Sequence, residues 1–225
     1  MEFLLDTVNL EKISYYNEHL SLAGVTSNPS ILKKDGIKGD LFEHFRKIRM
    51  ILGSDRQLHV QVTGCSFDEM EADAKRIVTE LGNDVYIKVP TNLAGLKTMK
   101  SLKKQGLRVT ATAIYTEFQA YQALNVGADY LAPYYNRMLN QGIDAAQIIE
   151  NVAKRIGKEG LESKILAASF HNVDQVNQAI RSGAQAVTVG LTVVEDAFEM
   201  PAISKAIADF KTDWEKLYSK DLANL

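Results

Sequence analysis

The residue best suited to chemistry in this chain is a lysine in an apolar run. Lys88 lies in Val85–Pro90, VYIKVP, which otherwise reads as a short buried strand. A buried, unpaired ammonium is costly to desolvate. Desolvation lowers the pKa of a lysine and leaves a free amine as nucleophile. A neutral amine attacks a carbonyl to form a Schiff base. The protonated imine is an electron sink, so a nearby carbon–carbon bond can break or form. A phosphate clamp is the other role open to such a lysine. That role suits loops and helix N-termini better than the middle of a strand, so position favours the imine.

Imine chemistry needs a proton shuttle, and the chain offers one. Asp6 supplies a carboxyl for carbinolamine formation and loss. The Tyr134 phenol can take a proton from a hydroxyl beside a scissile bond. Gln61 and Thr112 are not bases at ordinary pH, but both can hold a water for relay. Asn28 can hydrogen-bond substrate hydroxyls. Arg137, in YYNR, and Ser169 can bind a phosphate, the arginine by charge-assisted bonds.

The elements that must position these residues alternate between two periods. Strand candidates are residues 3–7, 23–28, 58–63, 84–90, 108–114, 128–134, 164–170 and 186–191. Helical patterns lie between them. Phe67–Leu81 carries Met70, Ala74, Ile77, Val78 and Leu81 on one face and opens with the capping box Ser66/Glu69. Thr116 with Gln119 and Asn172 with Gln175 open two further helices. Gly82, Gly106, Gly127 and Gly183 stop helices where a left-handed residue is wanted. Strands alternating with helices imply a parallel sheet. Eight units predict a closed (β/α)8 TIM barrel, an α/β fold, somewhat smaller than the usual ~250 residues. An open doubly wound sheet is the competitor, usually with fewer strands. The whole of 1–225 reads as one domain. One helix, Pro201–Leu217, is left over, with Ile203, Ile207, Phe210, Trp214 and Leu217 in a stripe. This extra C-terminal helix, taken as 201–219, either closes the bottom of the barrel or packs on a neighbouring subunit.

Side chains alternate across a strand, so in a barrel one parity faces the helices and the other the lumen. Val85, Ile87 and Val89 oppose Tyr86 and Lys88. Leu58, Val60 and Val62 oppose His59 and Gln61. Val25 opposes Thr26 and Asn28, and Tyr130, Ala132 and Tyr134 share a face. One face of most strands is aliphatic, and the other turns polar toward the C-terminal end, where barrel active sites sit. Asp6, Asn28, Gln61, Lys88, Thr112, Tyr134 and Ser169 are therefore expected in one cavity. Thr26 and Ala132 join Asn28, Arg137 and Ser169 as the expected substrate-binding set.

Composition narrows the function class. The 225 residues are 46% hydrophobic and 24% charged, with net charge −2, which gives no support for nucleic-acid binding. The apolar run at the start is three residues long, and no stretch approaches the roughly 20 residues of a membrane span. A cytoplasmic protein without membrane contact is expected. The single cysteine, Cys65, excludes an internal disulfide and reads as a buried bystander thiol. His19, His44, His59 and His171 lack metal-ligand spacing, so no metal is expected. There is no GxGxxG or P-loop, and no cofactor is called for. A non-covalent isomerase or epimerase and a sugar-phosphate binding protein are the other classes the same barrel would serve.

LLDT at the start, AGVTSNPSIL at 23–32, YIKVP at 86–90, ATAIY at 111–115, APYYNR at 132–137 and LAASF at 166–170 resemble the small transaldolase family that includes fructose-6-phosphate aldolases. The resemblance runs the length of the chain. It implies a class I aldolase with Lys88 as Schiff-base lysine. Asp6, Asn28 and Thr112 match the family's active-site positions, and Arg137 with Ser169 its phosphate site. It also implies a homo-oligomer, a decamer of two five-membered rings, with the C-terminal helix reaching onto a neighbour. Two activities compete within the family. Transaldolases, enzymes of the pentose phosphate pathway, carry a glutamate where this chain has Gln61 and a phenylalanine where it has Tyr134. The aldolases resemble this chain at both places. Cleavage of fructose 6-phosphate to dihydroxyacetone and glyceraldehyde 3-phosphate, and its reverse, is the expected reaction. Transfer of the three-carbon unit between sugar phosphates is the alternative.

Overall fold

In the computed structural model of the chain, which describes residues 1–218 and 220–224, eight parallel strands close on themselves in sequence order. The strands are β1 (Glu2–Asp6), β2 (Gly24–Thr26), β3 (Gln57–Gln61), β4 (Tyr86–Pro90), β5 (Arg108–Ile114), β6 (Tyr130–Pro133), β7 (Lys164–Ala167) and β8 (Ala186–Val189). Pairing of Leu5 with Val189 and of Leu4 with Thr188 joins β1 to β8 and completes the (β/α)8 barrel. The helices are α1 (Leu10–His19), α2 (Pro29–Lys34), α3 (Leu41–Leu52), α4 (Phe67–Leu81), α5 (Leu93–Lys104) and α6 (Glu117–Asn125). They continue with α7 (Tyr135–Leu139), α8 (Ala145–Glu159), α9 (Val173–Arg181), α10 (Leu191–Phe198) and α11 (Pro201–Leu217).

Parity sorts the core as the alternation predicts. Val25, Leu58, Val60, Ile87, Val89 and Val109 point outward and pack against the helices in one large buried cluster. Leu4, Tyr130, Leu166 and Ala186 form a second, smaller cluster that fills the lumen. The amphipathic faces of the helices cover the first cluster; in α4 the buried residues are Met70, Ala74 and Ile77. Both expected capping boxes, at Ser66/Glu69 and Thr116/Gln119, are formed. At α9 only half of the box forms. Asn172 accepts from the Gln175 backbone, but the Gln175 side chain turns to the backbone N–H of His171 instead. Gly106, Gly127 and Gly183 have positive φ as expected, whereas Gly82 pairs φ 93° with ψ 170°, outside the left-handed helical region.

Several strands stop short of the expected ends, because the next helix begins there. Asn28 is not in β2 but caps α2, accepting from the Ile31 backbone at 3.1 Å. Tyr134 stands at the N-terminus of α7, joined to Ala168 by a single bridge. At α5 the packing is tight enough to require glycine: a Cβ on Gly95 would lie 1.8 Å from the Pro90 carbonyl oxygen. That contact seats α5 on the end of the strand that carries Lys88. Thr91 adds a clamp from β4 to β5, its hydroxyl donating to the Thr112 carbonyl at 2.9 Å.

One expectation needs correction, and one of two alternatives falls away. Cys65 is exposed, not buried, because it precedes the Ser66 cap on the turn leading into α4. Closure of the barrel bottom by the C-terminal helix does not occur. No residue of α11 is buried, and Phe210, in the centre of its apolar stripe, is 73% exposed. Residue 219, where that helix was expected to end, lies outside the described residues. Among the described residues no helix is long and apolar enough to cross a membrane.

Candidate active site

Lys88 is the third residue of β4 and faces the lumen, 3% exposed. Its Nζ donates to the carbonyl oxygen of Ser27 at 3.0 Å. That carbonyl is held in place from below, since Ser27 donates both its backbone N–H (3.1 Å) and its hydroxyl (3.0 Å) to the carbonyl of His59. Burial pushes the basicity of Lys88 down, and the carboxylate of Asp6 partly restores it. Asp6 ends β1 and is pushed the other way. Burial raises its pKa, against the pull of Lys88 and of a 2.6 Å hydrogen bond from the Thr26 hydroxyl. Both partners thus lean toward neutrality, the condition in which an amine attacks and a carboxyl donates.

Thr26 also lies 2.6 Å from the hydroxyl of Thr188 on β8. Since Thr26 gives its only proton to Asp6, Thr188 must be the donor of that bond. Thr188 escaped the sequence reading, although it is the one polar residue of inward parity in β8. Thr7 and Asp35 were also missed. The Asp35 carboxylate accepts from the Thr7 hydroxyl (2.8 Å) and the Val8 backbone (2.9 Å), which ties the end of α2 to the end of β1.

On the other side of Lys88 stands the expected relay set. Gln61 pairs with Lys88 in register, and its Oε1 is buried with no hydrogen-bond partner among the described residues. Thr112 is fully buried, and its hydroxyl lies 3.0 Å from that of Tyr134. Burial raises the Tyr134 pKa, while the Thr112 bond and the Arg137 charge oppose it. Just after Thr112, Ala113 adopts φ 55° at an irregularity in the β5–β6 register. An extra residue there re-aims the side chains beyond it, as bulges beside active sites do. Ala132 is buried on β6 with the lumen parity of Tyr130.

Ser169 reaches the site by a route parity did not foresee. Leu166 faces the lumen and Ala167 the helices, so strict alternation would send Ser169 outward. β7 ends at Ala167, and Ser169 takes the left-handed φ of 62°. It then lines a cavity of about 190 Å³ at the C-terminal mouth, with Asp6, Lys34, Asp35, Thr188 and Gly190. Arg137 is exposed on α7, its guanidinium carbon 4.7 Å from the Tyr134 ring centroid. The backbone of α7 is bonded to the Ser169 segment, Asn136 N–H to Ser169 carbonyl at 2.9 Å, so Arg137 and Ser169 sit on adjoining segments. A larger cavity, about 520 Å³, opens at the opposite rim. Its lysines are already engaged, Lys103 with Asp129 and Lys164 with Glu2. Among the described residues no cluster of His, Cys, Asp or Glu is arranged to hold a metal ion.

Comparison with known proteins agrees with this geometry. The family model described as transaldolase/fructose-6-phosphate aldolase matches residues 3–223. A probable fructose-6-phosphate aldolase of Streptococcus pneumoniae is 51% identical over 95% of this chain and 96% of its own. A probable transaldolase of Methanococcus maripaludis is 32% identical over 96% of this chain and 98% of its own. A probable transaldolase of Bacillus cereus is 31% identical over 98% and 100%. An enzyme of aldolase or transaldolase type, acting on a sugar phosphate, is what these similarities and the lysine-centred barrel have in common. The chain belongs to the transaldolase/fructose-6-phosphate aldolase family.

Proposed function

We propose that the chain is a class I aldolase that cleaves fructose 6-phosphate to dihydroxyacetone and glyceraldehyde 3-phosphate and catalyses the reverse addition. The observation that carries the reading is Lys88: a primary amine buried in the lumen, with burial lowering its basicity and the Asp6 carboxyl, at the end of β1, acting on its charge. The Lys88 amine adds to the ketone carbon of the sugar, and Asp6 handles the protons as water leaves. The resulting iminium takes the electron pair of the carbon–carbon bond two atoms away. The hydroxyl proton beside that bond passes to the Tyr134 oxygen as the phenol hands its own proton to a water held by Gln61 and Thr112, and the aldehyde phosphate departs. The enamine left on Lys88 regains a proton at carbon, and hydrolysis releases dihydroxyacetone and the free amine. Asn28 has its Oδ1 committed to capping α2, which leaves its amide N–H groups for substrate hydroxyls. Thr26 and Ala132 shape the wall on the donor side, and Arg137 with Ser169 takes the phosphate.

Transfer of the dihydroxyacetone unit to a second aldose phosphate is the alternative, supported by the relatives named as probable transaldolases. Gln61 and Tyr134 favour cleavage, because no carboxylate stands at position 61 to act through a water. The test is to offer free dihydroxyacetone with glyceraldehyde 3-phosphate. Fructose 6-phosphate should accumulate, and negligible product would favour transfer. For the assembly we propose that α11 packs its exposed stripe of Ile203, Ile207 and Phe210 on a neighbouring copy, within a decamer of two rings.

A further inference from the structure

One buried titratable group plays no part in the chemistry above. His59 lies on β3 facing the lumen, fully buried, directly below the Lys88 layer. Its Nδ1 is 2.8 Å from the Thr110 hydroxyl and its Nε2 is 2.9 Å from Gln57 Oε1. The ring stacks on Tyr86, with centroids 4.5 Å apart and planes at 10°.

The direction of every bond in this network is set from its far end. At the N-terminal rim the Glu2 carboxylate accepts from Lys164 and from the Tyr130 hydroxyl. Tyr130 has then spent its proton, so its oxygen accepts from Gln57 Nε2 at 2.8 Å. Gln57 must therefore turn its carbonyl oxygen to His59, and His59 Nε2 must carry the proton. A neutral imidazole has one bare nitrogen, which makes Nδ1 the acceptor and Thr110 the donor. Burial, and then the Lys88 charge, keep this imidazole neutral. Thr110 pairs in register with Lys88 across β4 and β5 and has the same lumen parity. With its proton fixed on His59, its oxygen has only lone pairs for its other neighbours. Lone pairs favour an iminium N–H, whereas a hydroxyl free to rotate would also donate to the unreacted amine.

We propose that His59 is a positioning residue for the imine on Lys88: it holds the Thr110 hydroxyl, at the strand position paired with that lysine, in an acceptor-only orientation, so that once the reacting nitrogen leaves the Ser27 carbonyl this oxygen favours the iminium over the free amine. The proposal rests on the Lys88 imine proposed above. His59→Phe keeps a flat ring for Tyr86 and removes the acceptor; Thr110→Val removes the hydroxyl at equal volume. Each is expected to lower kcat about three- to tenfold, the scale of one hydrogen bond. KM for the aldehyde phosphate should stay within about twofold, as the phosphate binds elsewhere. Borohydride with subsaturating dihydroxyacetone should trap a smaller fraction of each variant than of the wild type. The double variant should be no worse than the more severe single one, since both remove the same device. Unchanged trapping in His59→Phe, or fully additive losses, would overturn the proposal. If His59→Phe fails to fold, Thr110→Val decides: reduced trapping supports the proposal and wild-type trapping overturns it. An absence of trapping in the wild-type enzyme would overturn the imine reading as well, which separates the two failures.

Discussion

Replacing Tyr134 by phenylalanine should remove the proton relay for bond cleavage while leaving the site standing. The ring keeps its place, with the Arg137 guanidinium 4.7 Å from its centroid and the Tyr115 ring edge-on at 5.8 Å. What disappears is one hydroxyl and its 3.0 Å hydrogen bond to Thr112. Such a bond contributes about 1 kcal/mol, or roughly 2–4 °C in Tm for a chain of this size. The catalytic loss is much larger, since a positioned acid or base contributes roughly 10²- to 10⁴-fold. Release of glyceraldehyde 3-phosphate from fructose 6-phosphate, monitored with a coupled dehydrogenase, should fall by that factor. Imine formation precedes cleavage and does not need the phenol, so trapping of Lys88 should persist. Cleavage within about threefold of wild type would refute the assignment of Tyr134. Adding Gln61→Glu places a carboxylate where Oε1 is already buried without a partner, beside Lys88 in register. The double variant should raise the ratio of transfer to cleavage; an unchanged ratio contradicts the role given to residues 61 and 134.

Imine formation should rise with pH and level off below 10.5, because burial depresses the basicity of Lys88. Asp6→Asn removes the charge that opposes this depression, so the limb should move to lower pH while the plateau falls with the lost shuttle; a limb that stays or moves up contradicts the pairing. In the same variant the pH dependence of stability should flatten. The raised pKa of Asp6 gives a contribution that is present below 3.8 and lost as pH rises through the folded value. Deleting residues 201–225 should shrink the assembly seen by sedimentation while the barrel stays folded, since no residue of α11 is buried. An assembly of unchanged mass would show that α11 is not its joint.

Much of the barrel is legible in the sequence because burial and parity are local signals. VYIKVP and RVTATAI show their two faces residue by residue, and their parity placed Lys88 and Thr112 on the lumen side. Legibility ends where strands end. Asn28 and Ser169 reach the site through a helix cap and a left-handed turn, and neither has a period to read. Cys65 was misjudged for the same reason, since the turn before a cap exposes a residue whose place just past a strand suggested burial. His59 and Thr188 had the right parity, but a lone polar residue on a strand does not name its partner across the lumen. Those partners, Thr110 and Thr26, are 51 and 162 residues away.

The proposed chemistry turns on an imine between Lys88 and the substrate ketone. Treating the protein with borohydride in the presence of dihydroxyacetone, then mapping the modified peptide by tandem mass spectrometry, tests it directly. One adduct is expected, on Lys88, with the mass of dihydroxyacetone less one oxygen atom, together with loss of activity and no adduct in Lys88→Arg. Full activity in Lys88→Arg, or an active enzyme that borohydride leaves unmodified, would contradict it.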